Sequence, residues 1–471
     1  MSAWKNISLW MDQLDSFDAR PPLENDCQVD VAIMGAGFTG LWTAYYLKQQ
    51  QPDLNVIILE SEVAGFGASG RNGGWLMGQI SGQDTLLEAS DEALKQLAHN
   101  ILHDIPDEVA RVIAKENIAC DYKKAGVLYV AARYTEQKYR LLEYFNELKQ
   151  AGYNQTDYEW LNTSQLEKKL NISSSFGAIF SPHCATIQPA KLVRGLADAV
   201  ENLGVRIYEK SPVTAWKQGE LRTEKACVSA KWIVPALEAY GAQLPASVKK
   251  LNQYHLPVQS LIIATEPLSE ELWHSIGLAS GEAFADNSRQ VTYGIRSADN
   301  RLVFGARGTY QFGAKLRENF QLTTQEIDDR RRILVELFPQ LHATQITHAW
   351  GGNLAVSRRF SPHMIKDEKQ GFVLSGGYGG EGVGATNLAG RTLADLILGN
   401  DTDLIKMPWV KAQGSFHDLT KWESEPLPWL GYKSVIKAFD FEDKVLTQDD
   451  AAKWKRQLAE KVADVFEKIV Q

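Results

Sequence analysis

The stretch "VDVAIMGAGFTG", Val29 to Gly40, joins an apolar, β-branched run to three glycines in G-x-G-x-x-G spacing. Such a run is typical of a strand buried on both faces of a parallel sheet. The following "FTGLWTAYYLKQQQP" places Leu41, Ala44, Tyr45 and Leu47 at helical spacing on one face and stops at Pro52. "NVIILE" then supplies a second buried strand ending at Glu60, twenty residues beyond Gly40. A glycine fingerprint acquires meaning only inside such a strand-turn-helix-strand unit. Gly35 permits the tight turn, Gly37 lets the backbone approach a diphosphate, and Gly40 lets the helix pack on the strand. Phe38 and Thr39 open the helix, whose free N–H groups and dipole favour phosphate. Glu60 stands where an acid holds a ribose.

Which dinucleotide binds is decided further along. "SEVAGFGASGRNGGW", Ser61 to Trp75, carries five glycines together with Ser69, Arg71 and Asn72. A nicotinamide domain has no need of a second glycine-rich loop directly after the ribose acid. A flavin, whose ribityl chain and ring system reach further, does. A third cluster, "SGGYGGEGVGATN" from Ser375 to Asn387, lies between an apolar strand and a helix. There a helix N-terminus can face the electron-rich edge of a reduced flavin. No strand with a ribose acid follows it, so a second dinucleotide is not expected. The cofactor-binding candidates are Gly35, Gly37, Phe38, Thr39, Gly40, Glu60, Ser61, Gly67, Ala68, Ser69, Arg71, Asn72, Gly73, Gly74, Gly377, Tyr378, Gly380, Glu381, Gly382 and Val383.

The rest of the chain organises around this unit. "PAKLVRGLADAVENLG" reads as a helix opened by Pro189 and closed by Gly204, and "VRIYEK" as a third parallel strand. Residues 85–187 read as helical and irregular. From Leu251 to Thr309 the pattern changes to antiparallel strands, "QVTYGIRS" and "RLVFGARG" being joined by a turn at "ADN". The final segment predicts an amphipathic helix with Thr447 and Asp450 in capping-box spacing and an apolar row of Trp454, Leu458, Val462, Phe466 and Ile469. The fold class expected is α/β, α+β overall: a Rossmann-like FAD-binding domain with a parallel sheet and an inserted antiparallel-sheet substrate domain. The expected boundaries are 28–84, 185–240 and 345–400 for a discontinuous FAD domain. Residues 85–184 and 241–344 form the substrate domain, and 401–471 a C-terminal helical extension.

Composition excludes several other classes. In 471 residues, 44% hydrophobic and 23% charged, a net charge of −8 gives no basic surface for nucleic acid. Cys27, Cys120, Cys184 and Cys227 lie far apart with no C-x-x-C, which removes a zinc or dithiol reading, and no metal is expected. The first residues, "MSAWKNISLWMDQLDSF", lack the apolar centre of a signal peptide, and no run of about eighteen apolar residues occurs. A cytoplasmic protein without a membrane span is expected. Ser69 lacks the second glycine of a nucleophile elbow, and no Gly-Lys dipeptide marks a P-loop.

The motifs "GAGFTGLWTAYYL", "LESEVAGFGASGRNGG" and "GGYGGEGVGATNLAGRTLADLI" resemble the D-amino-acid oxidase/glycine oxidase (DAO) family of FAD-dependent amine oxidoreductases. "GFGASGRNGG" and "WESEPLPWLG" are most similar to its branch of γ-glutamylputrescine oxidase-like and aminophosphonate oxidoreductases. The resemblance spans about Val29 to Leu430 and adds Val213 to the cofactor candidates. It implies removal of a hydride from the carbon bearing a primary or secondary amine, an imine that water hydrolyses, and reoxidation of the flavin by oxygen or another acceptor. It implies a small-molecule amine as substrate and an antiparallel sheet covering the flavin. No general base is assigned. Arg296 matches a position from which some relatives fork a substrate carboxylate, with Tyr293 three residues before it and Arg307 a weaker candidate of the same kind. Trp75, Trp350 and Tyr378 are candidates to line the flavin. Several relatives attach the flavin through a histidine or cysteine, which these glycine loops lack, so noncovalent FAD is implied. An NAD(P)-dependent dehydrogenase and a non-catalytic flavin-binding protein stay open as alternatives.

Overall fold

The strand formed by the opening stretch, Cys27–Met34, lies inside a nine-stranded sheet, hydrogen-bonded in parallel to Val56–Leu59 on one side and to Cys227–Pro235 on the other. The structure is a computed structural model and describes residues 4–15, 18–244 and 251–470, with the side chains of 242, 243, 252, 469 and 470 outside that set. Arg206–Tyr208 extends the sheet beyond Val56–Leu59 in parallel, as expected for the third strand. On the other side Phe372–Gly376, His363–Asp367 and Val410–Lys411 follow. The apolar run has no alternation because both sheet faces are covered. Val31, Ile33, Val56 and Ile58 enter one core, whereas Ala32, Met34, Ile57 and Leu59 enter another.

The helix Phe38–Gln50 is buried from Phe38 to Lys48, not along one face. It is enclosed by Pro189–Asn202 and Gly382–Leu398 as well as by the sheet, so Trp42, Thr43 and Tyr46 are as buried as the expected apolar face. Two glycines permit this. A Cβ on Gly40 would lie 2.1 Å from the Gly35 carbonyl oxygen, and one on Gly390 would lie 2.4 Å from Trp42 Cβ.

A second sheet has eight strands in the order Ile346–Ser357, His255–Thr265, Leu302–Tyr310, Tyr293–Arg296, Ala283–Asp286, Val127–Val130, Ala178–Ser181 and Glu159–Leu161. Its pairings are antiparallel except that Val127–Val130 runs parallel to Ala283–Asp286. Residues 85–187 are therefore less irregular than the sequence suggests: they supply three strands of this sheet. Their short length hides them from a periodicity reading. One face carries Ile263, Phe284 and Phe304 against Ile333, Leu334 and Leu337 of the helix Thr324–Leu337. The opposite face turns toward the first sheet.

Two C-terminal helices, Leu427–Leu446 and Lys453–Val470, pack on each other through Val435, Phe439 and Ala463. They are held to segments flanking the second sheet by Asp443 on Arg133 at 2.7 Å and by Glu442 on Arg140, in the helix Glu136–Gln150, and on Arg289, in the loop after Ala283–Asp286. The expected apolar row is corrected here. Ala459 and Ala463 are the buried residues; of the expected row Phe466 packs against Val435 and Phe439 and Val462 is half-buried, whereas Trp454 and Leu458 are exposed and the Ile469 side chain lies outside the described residues. Thr447 is the C-cap of the preceding helix and caps nothing after it. No helix among the described residues is long and apolar enough to cross a membrane.

The close approach at Gly390 gives a direct test. Gly390→Ala forces Trp42 and its helix outward and is expected to cost about 1–3 kcal/mol, as overpacking does. Thermal unfolding of the protein measures this, and an unchanged midpoint would show that the two helices are not in contact there.

Candidate functional site

Between the two sheets lies a cavity of about 790 Å³, within the range of about 300–1,000 Å³ usual for ligand and cofactor sites. At one end it is lined by Gly35, Gly37, Phe38, Thr39, Glu60 and Ser61, with Val213 beside them. Gly35 has φ +101°, which L side chains rarely adopt, and a Cβ there would come within 2.7 Å of the Ala236 carbonyl oxygen. A Cβ on Gly37 would crowd Ser69 Oγ at 3.0 Å, so the glycine lets the second loop close onto the first turn. Glu60 accepts from Ala36 N at 2.8 Å and Glu62 N at 2.9 Å, while burial raises its carboxyl pKa.

The second glycine segment contributes Gly67, Ala68, Ser69, Arg71, Asn72, Gly73 and Trp75 to the wall. Ser69 Oγ accepts from Phe38 N at 2.9 Å, which ties this loop to the first turn. The loop is also braced from behind. Ser8 Oγ donates to Gly70 O, Trp10 Nε1 to Asn72 O and Trp350 Nε1 to Arg71 O, at 2.7, 2.8 and 2.9 Å. The third segment brings Tyr378, Gly380, Glu381, Gly382 and Val383 to the same cavity. Nothing lies within 4 Å of a Cβ placed on Gly380. The helix Gly382–Leu398 thus begins at the cavity wall with no side-chain cap on its N-terminus. Tyr378 Oη bonds Thr39 Oγ1 at 2.9 Å and donates to Ser375 Oγ at 3.1 Å, which links the first and third segments.

The second sheet forms the opposite wall, and its pleat decides which residues reach it. Tyr293 pairs with Gly305, Ser260 with Arg307, and Ala285 with Tyr129. All but Gly305 line the cavity in one row across five strands. The Tyr293 ring lies across Gly305, where a Cβ would sit 2.0 Å from its Cζ, and Tyr293 Oη bonds Ser260 Oγ at 2.6 Å. Burial pushes its phenol up to about 12, so it stays protonated. Trp75 meets Tyr293 edge-on at 6.2 Å, and its buried Nε1 has no hydrogen-bond partner.

Charge in the cavity is uneven. Arg71 lies between Phe66 and Phe320, donating to the carbonyls of Phe66 and Gly351; no carboxylate among the described residues pairs with it. The Arg307 guanidinium stands over Phe439 at 5.3 Å with its Nε buried and unpartnered, and burial lowers its pKa. Glu238 accepts backbone N–H bonds from Ala239 and Ala355, whereas Glu381 is held by Gln79 alone, at 2.6 Å. Burial pushes both carboxyls up to about 7. Unpartnered Trp75 Nε1 and Arg307 Nε, an uncompensated Arg71 and open glycine backbone form a donor set suited to a flavin and an anionic ligand.

Several residues expected at the site lie elsewhere. Gly40, Gly74 and Gly377 are behind the wall. Trp350 is core, edge-on to Trp10 at 6.0 Å. Arg296 lies on the far face of its strand, over Trp273 at 4.7 Å and bonded to Glu270 and Asn300. The reason is the pleat: Arg296 is an odd number of residues from Tyr293, so the two point to opposite faces. What sequence reasoning missed is the C-terminal wall. Trp422, Tyr432 and Val435 line the cavity, and Tyr432 Oη donates to Gly308 O at 3.0 Å. No histidine or cysteine is among the lining residues.

A family model described as FAD dependent oxidoreductase matches residues 30–396. The chain is 32% identical over 426 residues to a probable oxidoreductase OrdL of Haemophilus influenzae, covering 86% of this chain and 93% of that protein. It is 30% identical to the gamma-glutamylputrescine oxidoreductase of Escherichia coli strain K12, covering 80% and 85%. Among solved structures, glycine oxidase from Geobacillus kaustophilus superposes with a TM-score of 0.67 at 20% identity, covering 84% of this chain and all of that one. That likeness concerns the fold.

Glu381 makes the site's electrostatics measurable without any substrate. Its folded pKa, about 7, lies above the ordinary carboxyl value of 4.5. The folded state therefore binds more protons than the unfolded one, and stability falls as pH rises from about 4.5 to 7. Glu381→Gln removes this loss, so its thermal midpoint should gain on the parent between pH 5 and pH 8. A constant difference across that range would contradict the buried, uncompensated carboxyl.

Proposed function

This chain belongs to the DAO family of FAD-dependent oxidoreductases acting on amines or amino acids, and from that premise we propose that it oxidises a small primary or secondary amine bearing an anionic group. The observation that carries the anionic part is the buried, unpartnered Nε of Arg307, on the same sheet face as Tyr293 and in the same cavity. A desolvated guanidinium with an unpartnered Nε favours a carboxylate or phosphonate. Glu381, with no cation beside it, suits the ammonium end. Relatives named for amine and amino-acid substrates support this reading.

The cofactor is FAD, and an NAD(P)-dependent dehydrogenase falls away. In this reading 28–84, 185–240 and 358–411 form the FAD domain, 85–184 and 241–357 the substrate domain, and the residues after 411 an extension that closes the substrate end. The expected boundaries at 345 and 400 are moved because Ile346–Ser357 is an edge strand of the second sheet and Val410–Lys411 of the first. Gly35, Gly37 and Ser69 would hold the FAD diphosphate, Glu60 the ribose and Val213 the adenine, and the N-terminus of Gly382–Leu398 would stabilise negative charge on the ring. With no histidine or cysteine lining the cavity, attachment is noncovalent. When bound, FAD would supply an electron sink able to accept a hydride from the amine-bearing carbon, the resulting imine being hydrolysed by water and the reduced flavin reoxidised by oxygen or another acceptor. The protein's contribution is placement. Tyr293, fixed by Ser260 and Gly305, and Trp75 form a rigid aromatic wall, Arg307 fixes the anionic end, and the largely apolar lining surrounds the reacting carbon. Four cysteines outside any disulfide support a reducing, cytoplasmic compartment.

Anaerobic mixing with panels of amines, amino acids and aminophosphonates tests the reaction class: at least one should bleach the flavin absorbance, and complete failure would favour a non-catalytic flavoprotein. For the best anionic substrate, Arg307→Met is expected to weaken binding by roughly 2–5 kcal/mol, with Arg296→Met near parental. An unchanged KM in Arg307→Met would remove its role.

A further inference from the structure

Apart from the flavin cavity, the described residues include one other cluster of side chains with metal-binding chemistry. His103 ends the helix Glu92–His103, Asp157 lies in the turns after Glu136–Gln150, and His183 lies between the strands Ala178–Ser181 and Cys184–Thr186. His103 Nδ1 lies 3.4 Å and His183 Nε2 3.2 Å from the same oxygen, Asp157 Oδ1. The other carboxylate oxygen accepts from Asn154 N at 3.0 Å, which leaves Oδ1 directed at the two rings. All three side chains are largely withdrawn from solvent, at 12%, 15% and 20% exposure.

The rings themselves argue for more than a hydrogen-bonded triad. They are parallel within 7°, with centroids 3.6 Å apart. One carboxylate oxygen thus faces a nitrogen of each ring. Neutral imidazole and ionised carboxylate are the ligating forms. We propose that His103, Asp157 and His183 bind one divalent transition-metal ion of the zinc class, distinct from the flavin site, with a fourth position left to water.

Two nitrogens and one oxygen are a donor set that zinc accepts. The three donor atoms lie within 4.8 Å of one another, against about 4.2 Å or less for two donors each about 2.1 Å from one ion. Closure therefore takes rotation of the two rings out of their parallel stack, so that each in-plane lone pair meets the ion. The Asn154 N–H on Asp157 is the kind of supporting bond that orients a ligating carboxylate. The ion's role follows from the segments it joins. His183 O accepts from Gly78 N at 2.7 Å, and the adjoining Cys184 pairs with Met77 on the strand Trp75–Met77, which lines the cavity. A bound ion thus clips a helix end, a turn and a hairpin together behind one wall of the flavin site. This inference is independent of which amine is oxidised.

The test uses the flavin-loaded full chain, stripped with chelator, dialysed and titrated with zinc sulfate. One equivalent is expected to bind and to raise the thermal midpoint, with the rise saturating at that stoichiometry. His103→Gln, His183→Gln and Asp157→Asn should each abolish both effects while keeping parental flavin content and circular dichroism. If a single variant loses flavin, the other two decide. Absence of stoichiometric binding in the parent at 100-fold molar excess of zinc would overturn the proposal, as would equal binding in the His103→Gln/His183→Gln double variant.

Discussion

Close backbone approach is the constraint on which the architecture depends. Three segments distant in sequence, Gly35 to Gly40, Gly65 to Gly74 and Gly376 to Gly384, meet at one cavity, and their glycines leave main chain where side chains would fill it. The segments also fix one another. Ser69 holds the turn at Phe38, Tyr378 bonds Thr39, and Gly390 admits Trp42 where the two principal helices cross. A helix buried on every side is the cost of bringing two glycine-rich strand ends so near each other. It explains why so apolar a segment as "FTGLWTAYYLK" is tolerated.

The second sheet solves a different problem, that of presenting chemically distinct groups at fixed spacing over a flat cofactor. Adjacent strands lie about 4.8 Å apart, so Ser260, Arg307, Tyr293, Ala285 and Tyr129 form a graded row, from a cationic end to one near Glu381. The row thus carries a guanidinium at one end and lies near a buried carboxyl group at the other. The C-terminal helices complete that end. Their hold on the sheet, through buried pairs such as Arg133 with Asp443, couples the closing of the cavity to the folding of the extension.

The first unit was readable because its signals are local: a strand, a turn with obligatory glycines, a helix and an acid follow one another within about thirty residues. The substrate side was not, because its information is in register. Tyr293 and Arg296 are close in sequence yet face opposite ways, whereas Arg307 joins Tyr293 only once the hairpin pairs Tyr293 with Gly305. A reader who set that register from the turn at Ala298 to Asn300 would prefer Arg307. The wall formed by Trp422, Tyr432 and Val435 left no such trace, since an extension's docking site is a purely tertiary matter. Trp454 and Leu458 illustrate the converse: an apolar row at helical spacing need not be the row that packs, and here the small residues Ala459 and Ala463 allow the closer helix contact.

The most direct measurement is a crystal structure of the flavin-loaded protein. The account requires the diphosphate against Gly37 and Ser69, and the isoalloxazine ring between Gly380 to Gly382 and the row containing Tyr293 and Arg307. A ring found away from that row, or a diphosphate held by other residues, would contradict it.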